Sequence, residues 1–75
     1  MNYNKQHSQH TRQCKAIRAL HGLTEKDVSD LVGVAQGLVY KYEREMYKDM
    51  GPKMTKLDDF YKTLYALEVS ANGMD

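Results

Sequence analysis

Thr24-Glu-Lys-Asp-Val28-Ser-Asp-Leu-Val32-Gly-Val-Ala-Gln36-Gly-Leu-Val39-Tyr-Lys-Tyr42-Glu43 reads as two short helices hinged at Gly33. Val28, Leu31 and Val32 recur at the three- and four-residue steps that place side chains on one helix face. Thr24 is placed to cap that helix, and Asp27 three residues later completes a capping-box pattern at its positive end. Ser29 is small and lies where a second helix would cross. Gly33 ends the first helix, because a tight interhelical turn needs a left-handed residue and glycine adopts that conformation at least cost. Val34 fills the corner, and Val39 and Tyr42 are spaced as the inner face of a second helix from about Gln36 to Arg44.

The face left outside that second helix carries Gln36, Gly37, Tyr40, Lys41 and Arg44. A short helix with polar groups and two cations on its free side suits the major groove of DNA. Ser29, Gly33 and Val39 stand at the small, glycine and β-branched positions of a helix-turn-helix, with Val28, Val32, Val34 and Tyr42 at its other apolar positions. In these residues the chain resembles the Cro and lambda-repressor family of phage and bacterial regulators. The resemblance extends upstream through Ile17-Arg-Ala-Leu20-His-Gly22-Leu23 and downstream to Leu57-Asp-Asp-Phe60-Tyr-Lys-Thr-Leu64-Tyr-Ala-Leu67. It implies an all-α domain of four to five short helices, with the helix-turn-helix at about residues 24–44.

Seventy-five residues allow one domain with a small core, and an apolar content of 41% is enough to build it. No run approaches the ~18 apolar residues that a bilayer crossing needs, and the N-terminus has no apolar export segment. A single cysteine, Cys14, leaves no internal disulfide framework and fits a reducing compartment. A bacterial cytoplasmic protein, encoded by a phage or mobile element, is the expectation. Net charge is only +1, low for a DNA binder. Distribution offsets this. Residues 1–22 hold Lys5, Arg12, Lys15 and Arg18 with no acid, and residues 41–56 add Lys41, Arg44, Lys48, Lys53 and Lys56. Acids gather on the helix after Thr24 and on the last helix.

Residues 1–8 read as a flexible polar arm, 9–69 as the helix-turn-helix domain and 70–75 as a frayed end. The first helix is expected from about Ser8 or Thr11 to His21, with Cys14, Ile17 and Leu20 inward. Gly22 ends it and Leu23 supplies the closing apolar contact. Residues 45–54 form a loop marked by Gly51-Pro52, with room for an extra helical turn. Thr55 with Asp58 suits a capping box that opens a helix to about Glu68, burying Leu57, Phe60, Leu64 and Leu67.

The resemblance places Gln36 where the family carries a base-contacting residue, and a Gln amide matches adenine in the major groove. Gly37 permits close approach. Leu38 either meets a thymine methyl or packs inward. Tyr40 and Lys41 face base edges or phosphates, Arg44 grips phosphate, and Lys48 and Lys53 follow the reading helix where the family contacts the backbone. Two positions depart from the family pattern. Glu25 stands where a phosphate-contacting glutamine is common, and Ala35 stands where Ser or Thr usually caps the reading helix.

The implied partner is a double-stranded DNA operator, bound as a homodimer. The rival reading is an interaction module, antitoxin-like or a phage accessory factor, whose protein partner meets Tyr47, Tyr61, Tyr65, Val69 and Met74. No Gly-rich phosphate loop and no nucleophile with a spaced base is present, so no enzyme and no cofactor is expected. His7, His10 and Cys14 are spaced as on one helix face, but a structural zinc takes four ligands and no metal is expected there.

Overall fold

The computed structural model describes residues 8–72, with side chains as far as residue 70. These residues form four α-helices and no strand: α1 Gln9–Leu20, α2 Glu25–Val32, α3 Gln36–Glu43 and α4 Gly51–Asn72. The all-α expectation holds, with four helices. Residues 1–7 of the expected arm and 73–75 of the expected frayed end lie outside the described residues.

Each helix boundary has a local cause. Ser8 caps α1, its hydroxyl accepting from the Thr11 amide at 3.2 Å. The α2 capping box is complete. The Asp27 amide donates to Thr24 Oγ1 at 3.1 Å, and the Thr24 amide donates to Asp27 Oδ2 at 2.9 Å. Gly33, at φ 82°, terminates α2 in the left-handed region, as the sequence requires. At the start of α3, Ala35 makes no side-chain cap. The same helix ends with paired bonds from Met46 N to Lys41 O (2.8 Å) and from Glu45 N to Tyr42 O (3.2 Å). Glu45 takes the left-handed conformation there, at φ 55°.

That termination turns the chain out of helix, so residues 44–50 hold no extra helical turn. The last helix then begins earlier than expected. Pro52 occupies its first turn, where a missing N–H is no loss. The Thr55–Asp58 capping box therefore does not form. Thr55 Oγ1 instead donates to the Gly51 carbonyl at 2.8 Å, inside the helix. At its other end α4 continues past Glu68 to Asn72, so residues 70–72 of the expected frayed end are helical.

Cys14 and Ile17 of α1, Val28 of α2, Val39 and Tyr42 of α3, and Met54, Leu57, Tyr61 and Leu64 of α4 make one core. Val28, Val39 and Leu57 are fully enclosed, each contributing about 1.5–3 kcal/mol relative to exposure. Three leucines expected inside are outside: Leu20 (65% exposed), Leu31 (64%) and Leu67 (54%). All three fail for one reason. A step of three residues falls short of a helical turn by about 60°, so an i, i+3 series drifts off the buried face. Arg18, Ser29 and Glu68 stand nearer that face and are the residues drawn toward the interior, Ser29 fully and the other two by half. Phe60 is half-buried, against the expectation that it is fully inside.

Candidate nucleic-acid interface

What holds α3 in place is its inner face, and that face is partly ionic. Val39, Tyr42 and Glu43 stand at the i, i+3, i+4 spacing and are all buried. The Glu43 carboxylate is fully enclosed and accepts from Arg18 Nε at 2.5 Å, from Arg18 Nη2 at 3.0 Å and from the Tyr61 hydroxyl. Thr11 Oγ1 donates to the Glu43 carbonyl at 2.7 Å. One residue of α3 thus joins α1 and α4, with its charge paired and its carbonyl occupied. Burial, followed by the Glu43 hydrogen bond, pushes the Tyr61 phenol well above its ordinary range, so it stays a donor. Arg18, counted with the basic surface in the sequence, is an internal residue instead.

Tyr42 completes the seat. Its hydroxyl donates to Asp58 Oδ1 at 2.8 Å, and its ring stacks on Tyr61 with centroids 5.3 Å apart. His10 meets the Tyr42 ring edge-on, with centroids 5.1 Å apart. His10 also contacts Cys14 Sγ at 3.5 Å. Burial, reinforced by Glu43, pushes the Cys14 thiol up to about 12, so it remains protonated. Among the described residues no three His, Cys, Asp or Glu side chains converge on a cation position, and His7 lies outside them.

The outer face of α3 emerges as the helical spacing requires. Gln36, Gly37, Tyr40 and Lys41 are all exposed. Arg44 is only half-buried but is already engaged. Its guanidinium lies 3.8 Å from the centre of the Tyr40 ring, and Nη1 donates to Glu25 Oε2 at 3.1 Å. Glu25, the residue that departs from the family pattern, is thus matched by Arg44 and by Arg18 at 3.8 Å. It ties the start of α2 to the end of α3.

Gly37 has no structural reason to be glycine. It sits in the first turn of α3 in ordinary helical conformation, and a Cβ there would meet nothing within 4 Å. Leu38 resolves to the inward alternative in part. It is half-buried against the core. Lys48 is exposed in the loop after α3, while Lys53 is exposed on the first turn of α4, since that helix starts earlier than the sequence suggested. Lys41, Lys48 and Lys53 make no ion pair among the described residues. They are the cations of this side still free to meet an anion.

Beside these lysines lies an open groove of about 450 Å³ between the end of α3 and the start of α4. Sequence reasoning missed it, because it exists only once the loop 44–50 folds back over α3. Of the aromatic and apolar residues expected to meet a protein partner, Tyr61 is buried, Tyr47 and Tyr65 are half-buried and packed on the core, and only Val69 is exposed. Met74 lies outside the described residues. Glu43 was also missed, although its i, i+4 relation to Val39 was a readable signal. Comparison of the chain with protein-family models, with curated proteins and with solved structures gives no match.

Proposed function

We propose that this chain is a sequence-specific double-stranded DNA-binding regulator of the Cro and lambda-repressor type. In this reading it is a phage or mobile-element repressor acting in the bacterial cytoplasm by occupying an operator. The observation that carries the reading is α3 itself. Its inner face is locked to the other helices, while Gln36, Gly37, Tyr40 and Lys41 stand together on its free side. A rigid helix with such a face fits a major groove about 12 Å wide. Lys48 and Lys53, beyond its C-terminal end, meet the phosphates that border the groove. Arg44 acts through Tyr40, bracing that ring from above, and reaches phosphate only at the cost of its Glu25 contact.

Acting as a two-fold dimer, the protein would read half-sites about 34 Å apart, one turn of the duplex. Exposed Leu20 and Leu67 offer apolar surface for pairing. They flank the His21–Glu68 contact (3.7 Å) that brings the end of α1 against α4. The alternative, a module that binds a protein partner, draws support from the groove beside α3.

Selection from a randomised duplex pool at several salt concentrations tests the reading. An enriched motif is the expected result. Gln36→Ala should then relax discrimination at one or two base positions by ~1–3 kcal/mol, whereas Lys48→Ala should weaken all sequences alike. A pool with no enriched motif, and binding indifferent to both substitutions, would remove duplex reading as the function.

A further inference from the structure

The groove beside α3 has a distinctive floor. Met46, Met50 and Met54 all line it, together with Leu38 and Tyr47. These are all the methionines of the described residues, brought together by the loop that carries Met46 and Met50 and by the first turns of α4, which carry Met54. Met46 is 54% exposed and Met50 38%, so much of this floor is open to solvent. Methionine is flexible and polarisable, and clusters of it form surfaces that accept apolar side chains of varied shape. The rim is cationic. Lys41 and Lys53 line the groove with Asp49 as the single acid, and exposed Lys48 adjoins it.

We propose that this groove docks an acidic amphipathic helix of a partner protein, its apolar face on Leu38, Met46, Met50 and Met54 and its carboxylates toward Lys41 and Lys53. Charge and shape select that occupant. The groove is open to solvent, so it cannot enclose most of a small ligand's surface, as small-molecule sites do. A helix laid along it needs only one face covered. The chain's own residues 1–7 carry Lys5 and no acid, a poor match to a lysine rim. Docking has a consequence for the proposed function, and this part rests on that reading. Lys41 and Lys53 cannot face a partner's carboxylates and DNA phosphates together. A docked helix and a bound duplex therefore exclude one another.

Methyl NMR of the full chain with labelled methionine tests the docking. The probe is a synthetic helical peptide with leucine on one face and glutamate on the other. The control is the same peptide with lysine in place of glutamate. The glutamate peptide should shift the ε-methyl signals of Met46, Met50 and Met54, and the lysine peptide should not. Met50→Glu and Lys53→Glu, both at exposed positions and checked for unchanged helicity, should each weaken binding at least tenfold. Unmoved methyl signals, or equal binding of both peptides, would overturn the proposal. So would sedimentation of the chain alone showing a dimer that Met50→Glu dissolves, which would assign the groove to a second copy. Displacement of a selected duplex by the peptide is measured separately. Docking without displacement leaves the peptide site standing and counts against DNA contact through Lys41 and Lys53.

Discussion

Glu43 is the residue on which the seating of α3 depends most. A carboxylate fully removed from water costs several kcal/mol unless it is paired and its oxygens are occupied, and here Arg18 and Tyr61 meet that condition. Removing one partner leaves the other charge stranded. Arg18→Met should therefore destabilise the domain by about 3–5 kcal/mol in denaturant unfolding. Arg18→Met combined with Glu43→Leu should recover most of that loss, because the enclosed charge is gone. Equal instability of the single and double variants would show that Arg18 matters for packing rather than for charge. Asp58 sets an acid dependence. Hydrogen bonds from Lys62 and then from the Tyr42 hydroxyl hold its carboxyl below the ordinary value of 3.8. A carboxyl depressed in the folded state stabilises fully above its unfolded pKa and loses that contribution as pH falls through the folded one. Asp58→Asn should thus cost about 1 kcal/mol at neutral pH. The gap between variant and parent should close on acidification below about pH 4, measured by urea midpoints across the range.

At the scale of elements, the helices were legible where local chemistry dictates them. The Thr24–Asp27 box, the Gly33 turn and the uncapped Ala35 all stand as read. The Thr55–Asp58 pattern has the same spacing and fails, because Pro52 supplies an earlier start and Tyr42 and Lys62 claim the Asp58 carboxylate. A capping pattern is a local offer that another element can outbid. Similarly, nothing in the sequence marks Glu45 for the left-handed position that ends α3, where Gly22 serves after α1. On α3 the informative residue is Gly37. A Cβ there meets open space, so Gly37→Ala should raise stability by roughly 0.5 kcal/mol through helix propensity and reduced chain entropy. The same variant should weaken duplex binding, since the added methyl stands between the helix and the groove floor. Stability and affinity rising together in paired thermal-melt and binding measurements would count against close approach at this position.

Across the whole molecule, a net charge of +1 hides a division of labour. Arg18 and Arg44 are spent on Glu43 and Glu25, while Lys41, Lys48 and Lys53 remain free on one side. Three such contacts predict a log–log slope of affinity against salt of about −3 for the monomer, doubled for a dimer. A flat salt dependence would mean that these lysines do not meet phosphate. Sequence by itself determined the all-α class, the two-helix stretch from Thr24 to Glu43 and the outward set Gln36, Gly37, Tyr40 and Lys41. Capping, glycine turns and helical periodicity act over a few residues and are written in local order. Tertiary structure alone decided that Arg18 and Glu43 meet inside, that Glu25 holds Arg44, and that three methionines line one groove. Those outcomes depend on which faces the four helices turn to one another, and no local spacing carries that information.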